Sequence, residues 1–302
     1  MIKADFTIVP GEQQKKETEE CIRSLKQNQV LLQMMKIHNL SFSLIDRYPW
    51  KIHRWFESLQ PCLNCKGIGF CGQKVRGYYE NLEYDGMMQV VQTACVHQRK
   101  QLAEEAHMSR YLISDLPSNL HAVSFEKIRT EKEKREYLQV LTEAMEACES
   151  SKGLYLYGTM GSGKTYLAAC ASNYYARQGR KTAFIHYPSF CRRMAAEVQE
   201  SEYKTEFDRA CIADFLVIDD IGAESVTEWN RDQILLPLLS IRYEENLPTW
   251  FTSNEDMNSL AKHFRFSSRG KDEEIKADRI IERIEHLAKA LEVTSQDRRK
   301  QL

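Results

Sequence analysis

Apolar positions recur at helical spacing over residues 12–40, where Cys21, Ile22, Leu25, Leu32 and Met35 follow a polar opening. A second amphipathic stretch, FSLIDRYPWKIHRWFESL, runs to Leu59 and stops ahead of Pro61. Its Trp50, Trp55 and Phe56 fall at apolar spacing, which predicts burial more than contact with a partner. The periodicity then disappears. Residues 61–77, PCLNCKGIGFCGQKVRG, are rich in Cys and Gly and cannot build much core. Two β-prone runs around Asp85-Gly86 predict a hairpin, and HQRKQLAEEAHMSRYL predicts a polar helix. DLPSNLHAVSFEKI, with Pro117, reads as a connection between domains.

Beyond about residue 120 the texture is α/β. Short apolar runs at 153–158, 182–187, 215–222 and 249–254 alternate with helical stretches at 165–178, 188–199 and 231–246. The run IKADRIIERIEHLAKAL predicts a last helix. Strands that alternate with helices predict a parallel sheet covered on both faces. The expected organisation is a small, mostly helical domain over 1–116, a linker and domain start over 117–150, and a P-loop core over 151–302.

Length supports two domains, since the chain has 302 residues. Composition changes little: 42% hydrophobic and 28% charged residues suit a globular protein. Net charge is −1, about +2 before residue 117 and −3 after it, so neither half is a basic nucleic-acid module. No run is long and apolar enough to span a bilayer, and the first twenty residues lack the apolar core of a secretory signal. A cytoplasmic location is therefore expected, where nine cysteines read as thiols or metal ligands. Cys148, Cys170, Cys191 and Cys211 sit singly in helical stretches and read as buried thiols.

The sharpest chemistry lies at Gly158-Thr159-Met160-Gly161-Ser162-Gly163-Lys164-Thr165, which fits G-x-x-x-x-G-K-S/T and is followed by Tyr166. It lies between a predicted strand and a predicted helix, as the motif requires. Glycines let successive N–H groups turn inward onto phosphate, and the helix N-terminus adds its positive end. Lys164 is placed to reach the β- and γ-phosphates and Thr165 to hold Mg²⁺. The run FLVIDD carries Asp219 and Asp220 to the sheet edge where α/β ligands bind. Asp219 suits an outer Mg²⁺ ligand and Asp220 the orientation of the attacking water. TWFTSN brings Asn254 to the same edge, within reach of that water or the γ-phosphate. Together they predict a nucleotide hydrolase site.

The order of these motifs resembles AAA+ ATPases. Within them, VIDDIGAES, FRFSSRGKDEEIKADRIIERI and SQDRR resemble the bacterial replicative helicase loaders of the DnaC/DnaI class. The resemblance spans the chain and is strongest over 150–300. It implies an ATPase that binds a hexameric replicative helicase through its N-terminal domain and delivers it onto single-stranded DNA. ATP, with Mg²⁺, acts as the switch. Asn254 then matches sensor 1, Arg279 the arginine finger, Arg283 the following sensor arginine, and Arg298 and Arg299 the terminal pair. The second Walker B acid is Asp220 where most AAA+ motors have Glu, which implies slow hydrolysis. Too few residues follow Asn254 for a full AAA+ lid. A transposition helper ATPase shares a similar core and is the alternative, as is an adaptor that binds nucleotide and scarcely hydrolyses it.

Cys62-x2-Cys65-x5-Cys71 supplies three thiolates within ten residues, and Zn²⁺ takes four ligands in a tetrahedron. Cys95, folded back by the hairpin, is the expected fourth; His97 is the alternative. The family pattern favours Cys95 and implies a closed, structural zinc site. In related loaders the helix after the second core strand lines the path of single-stranded DNA. Here that would place Arg192, Arg193 and Lys204 at phosphates and Phe190 or Tyr187 at a base. Self-association of the ATPase domains would strengthen a DNA contact that is weak for one subunit.

Overall fold

The computed structural model describes residues 11–131, 133–197, 202–265 and 273–294, leaving aside the side chains of 197 and 202–204. Arg298 and Arg299 lie outside the described residues. The chain forms two compact units, residues 1–104 and 105–302.

In the first unit the periodic stretch expected over 12–40 is two helices, α1 (Glu12–Gln27) and α2 (Gln29–Ile37). Asn28 breaks it: its backbone is extended, and its side chain accepts a hydrogen bond from the Leu31 N–H at 3.1 Å. A single turn, α3 (Leu44–Arg47), precedes α4 (Pro49–Leu59), whose proline stands in the first turn, where no N–H is needed. Strands β1 (Tyr78–Tyr84) and β2 (Met88–Ala94) pair antiparallel as the expected hairpin, and α5 (Val96–Glu104) follows. Gly86 takes the left-handed turn position, with φ 105°. The core gathers Leu25, Leu31, Met35, Ile52, Trp55 and Leu82. Trp55 is buried and donates its indole N–H to the Glu80 carbonyl at 3.0 Å, tying α4 to the hairpin. Phe56 packs against this core, whereas Trp50 is half exposed.

The second unit is a six-stranded, all-parallel sheet. Its strands are β3 (Tyr111–Ser114), β4 (Gly153–Tyr157), β5 (Thr182–His186), β6 (Phe215–Asp219), β7 (Thr249–Ser253) and β8 (Ala288–Glu292). They lie in the order β3-β5-β6-β7-β4-β8. Successive residues face opposite sides, so each central strand feeds two cores. Leu216 and Ile218 join one core with Tyr155, Ile185 and Phe251. Phe215 and Val217 join the other with Leu154, Phe184 and Trp250. Helices α6 (Arg135–Glu149) and α7 (Lys164–Arg177) supply the second core, with Tyr137, Val140, Leu167 and Ala171. The first takes residues from α8 (Tyr187–Glu197), α9 (Glu202–Ile212), α10 (Leu236–Glu244), α11 (Met257–Arg265) and α12 (Glu274–Leu287). A π-helical turn at Asn230–Leu235 leads into α10.

Two strands depart from the sequence reading. Strand β3 lies before Pro117 and pairs with β5, so the second unit begins ahead of the expected boundary at 117. Strand β8 occupies residues read as the end of the last helix. It follows α12 without a loop and pairs along the whole of β4. Cys148, Cys170, Cys191 and Cys211 are buried, and burial pushes the Cys170 and Cys191 thiols up to about 12.

Candidate active site

Strand β4 ends at Tyr157 and the glycine-rich loop runs from Gly158 to Gly163 into α7. Gly158 has φ 141°, and a side chain there would meet the Val293 carbonyl oxygen at 2.7 Å. Gly163, with φ 97°, is left-handed where the loop turns into α7. Lys164 is the first residue of that helix and is buried. Its ammonium donates to the Gly158 and Thr159 carbonyls at 2.9 and 3.0 Å and to Asn254 Oδ1 at 3.1 Å. The cation is thus held over the loop it serves.

Strand β6 delivers the acids. Asp219 Oδ1 accepts from the Thr165 hydroxyl at 2.9 Å and from Thr252 at 2.6 Å. Burial raises the Asp219 carboxyl above the usual range, against the pull of those two hydroxyls. The donor set, one buried carboxylate beside a threonine hydroxyl at the loop, fits a hard divalent cation that keeps most of its water. Asp220 stands just past the strand with φ 60°, a left-handed conformation that Asp tolerates at a cost. Its N–H donates to Thr252 Oγ1 at 2.9 Å, and Asn254 Nδ2 donates to its Oδ1 at 3.3 Å. The three motifs expected to converge therefore do so, through Lys164, Asn254 and Asp220 on one side and Thr165 and Asp219 on the other.

A cleft of about 830 Å³ opens over this group. Its walls include residues that motif reasoning missed. His186, the last residue of β5, has Nε2 3.8 Å from Asp220 Oδ2 and Nδ1 2.8 Å from Ser189 Oγ. Thr252, on β7, bridges the two acids. Leu120, Ile128 and Arg129 enter from the segment read as a connector. Tyr166, expected at the nucleotide from its place after the loop, lines the wall as well. The register of β5 against β6 pairs His186 with Asp219, and nothing local in the sequence marks it.

Arg279 and Arg283 do not line this cleft. Arg279 is exposed on α12 and does not line it. Arg283 lies 4.4 Å over the ring of Tyr243, on α10. It packs one helix on another and does not line the cleft of its own subunit.

The proposed DNA-facing set is also altered. Tyr187 and Phe190 are fully buried; Tyr187 donates to the Asn230 carbonyl at 3.3 Å and Phe190 joins the sheet core. Neither can stack on a base. Arg193 is paired with Asp115 at 2.9 Å and with Glu206 at 2.7 Å. Burial opposes its charge, but the hydrogen bonds it donates to Glu206 and Asp115 prevail and hold it protonated. It braces α8 against α9 and the end of β3. Arg192 is exposed and donates to Ser189 Oγ at 2.9 Å. The Lys204 side chain lies outside the described ones.

Cys62, Cys65, Cys71 and Cys95 are not drawn into a metal site. Among the described residues no group of three or more His, Cys, Asp or Glu side chains could hold a metal ion. Residues 60–77 consist of short turns, with Cys65 and Phe70 exposed, so no core pins the sulfurs to one point. Each sulfur instead accepts its own N–H: Cys62 from Gln73 Nε2, Cys65 from Gly67, Cys71 from Gly77 and Cys95 from Gln98.

Residues 78–302 match the family of IstB-like ATP binding proteins. The chain belongs to that family. Among curated proteins it is 29% identical over 261 residues to the replicative helicase loader DnaI of Bacillus subtilis strain 168, covering 85% of this chain and 84% of that one. Among solved structures, that of DnaI is 31% identical with a TM-score of 0.55, covering 62% of this chain and 98% of that one. The DnaC helicase loader matches at 17% identity and a TM-score of 0.50, over 59% of this chain and all of the other, a likeness of fold. Among the described residues no helix is long and apolar enough to cross a membrane.

Proposed function

We propose that this chain is an ATP-driven loader that binds a ring-shaped replicative DNA helicase and delivers it onto single-stranded DNA. The observation that carries this is the extent of the likeness to DnaI. It covers more of the chain than residues 78–302, so it runs into the amino-terminal unit. A shared ATPase core alone would leave a transposition helper equally favoured. In this reading the first unit grips the helicase and the second carries the nucleotide switch.

The roles follow from the cleft. Lys164 and the loop N–H groups take the phosphates, Thr165 and Asp219 would hold Mg²⁺, and Asp220 with Asn254 would orient water. Mg²⁺ supplies charge neutralisation at the phosphates when bound. Asp220 is one methylene shorter than Glu and is braced by His186, which suits slow turnover. His186→Ala is expected to lower kcat roughly tenfold while KM for ATP stays within about twofold, the pattern of a group that acts on the transition state. A raised KM with kcat unchanged would move His186 to nucleotide binding.

Arg279, exposed and outside its own cleft, is assigned to the cleft of a neighbouring subunit. The reading also extends to Zn²⁺ on Cys62, Cys65, Cys71 and Cys95, supported by the N–H donor that each sulfur already has. Freshly purified protein is expected to carry one zinc per chain by elemental analysis, falling in a Cys62→Ser/Cys65→Ser variant. Zinc-free protein that still binds its partner would end this part of the reading.

The deciding experiment is native mass spectrometry of the full chain mixed with the cognate replicative helicase, with and without ATP. A nucleotide-dependent complex is expected. No complex under any nucleotide condition, with a complex formed on a transposase, would put the transposition reading first.

A further inference from the structure

Arg231 is a fully buried guanidinium in the π-helical turn and belongs to none of the nucleotide motifs. It donates to Asp232 at 2.7 and 3.1 Å and to the Phe264 carbonyl at 3.1 Å, and it makes a short bond to Glu273. Lys276 closes the ring, with Asp232 at 2.7 Å and Glu273 at 2.8 Å. Glu273 and Lys276 flank the first turn of α12, one turn ahead of Arg279. The other end of α12 is held by the stacking of Arg283 and His286 on Tyr243 of α10.

The same π-helical turn is fastened to the loop after the Walker B acids. Asn230 donates from Nδ2 to the Ser225 carbonyl at 2.8 Å, and its Oδ1 accepts from Thr227 N at 2.8 Å. Adjacent residues therefore grip the loop that leaves Asp220 and the helix that carries Arg279. π-Helical turns are uncommon and cluster at functional sites. A buried ion network is a poor source of stability but a good source of fixed geometry. Burying a guanidinium here costs desolvation that an apolar residue would not.

We infer that the Arg231–Asp232–Glu273–Lys276 network is a positioning device that sets α12, and with it Arg279, for action on the nucleotide of a neighbouring subunit. The inference rests on the assignment of Arg279 to a neighbour's cleft. Arg231, Glu273 and Lys276 are positioning residues, since none lines the cleft.

The test is subunit mixing with full-length protein. Glu273→Gln and Lys276→Ala keep Arg231 in place and are the working variants; Arg231→Met, which exposes the turn to misfolding, is the third. Each is expected to lower turnover of the assembled protein roughly tenfold, within the range of coupling carried by such networks. Affinity for ATP should stay within about twofold. Adding Lys164→Ala protein, with a dead cleft but an intact Arg279, is expected to restore most of the turnover. Arg279→Ala is the control and should be restored in the same way.

The outcomes separate cleanly. Restoration of Arg279→Ala but not of Glu273→Gln or Lys276→Ala would overturn the inference and leave the neighbour assignment standing. Failure to restore Arg279→Ala would remove the assignment and the inference together. Parent-like turnover of Glu273→Gln and Lys276→Ala would also overturn the inference.

Discussion

Lys164→Ala is expected to weaken ATP binding by at least a hundredfold, on the order of 3 kcal/mol, as befits loss of charge-assisted bonds to phosphate. The argument is geometric. The Lys164 ammonium is buried at the mouth of α7, already aimed by the Gly158 and Thr159 carbonyls and Asn254. Phosphate oxygens arriving over the loop meet a cation whose position is fixed before they arrive, so little ordering remains to be done on binding. The substitution also takes the ammonium from the Gly158 carbonyl and Asn254 Oδ1, while the Thr159 carbonyl keeps the Ser162 N–H, and a stability loss of about 1 kcal/mol should accompany it. Titration with a fluorescent ATP analogue, alongside thermal melting, separates the two effects. Binding within fivefold of the parent in a folded variant would refute the phosphate role of Lys164.

The second large effect is expected at Arg279. Its replacement by alanine should leave ATP affinity unchanged and lower turnover of the assembled protein by about a thousandfold, the lower end of what a trans-acting arginine supplies in related chemistry. The loss should appear only at concentrations where subunits associate. In dilute protein, parent and variant should turn over at the same slow rate, because neither has a neighbour. A concentration series of ATPase rates checks this. A variant that falls below the parent at every dilution would place Arg279 in its own subunit's chemistry, against its exposure on α12.

The core strands were legible because parallel strands buried on both faces read as apolar runs. GLYLY, TAFIH, FLVID and TWFTS all form where those runs lie. Strand β8 was not, since AKALE at a sheet edge continues the helical spacing of α12 and carries little that is β-prone. Strand β3 is four residues long and lies beside a proline-marked connection. The phosphate loop and both acids were readable because their chemistry fixes residue type and spacing. His186 was hidden, since a lone histidine at a strand end gains meaning only when the sheet register sets it beside Asp219. Arg193 misled for the opposite reason. Its partners Asp115 and Glu206 are distant in sequence, so nothing local distinguishes a braced arginine from one free to meet phosphate. Tyr187 and Phe190 carried the same ambiguity, and the packing of α8 on the sheet resolves it.

The location of Arg279 outside the cleft it is proposed to serve has a geometric corollary. Two copies could serve each other across a two-fold axis only where the arginine and the cleft share one self-complementary patch. Where they lie on separate faces the contacts run head to tail, and the assembly has a polarity. Unless the array closes on itself, one end shows an arginine with no phosphate to meet, and the other a nucleotide awaiting its arginine. The terminal nucleotide would outlast the rest, marking one end of the assembly as the last to let go.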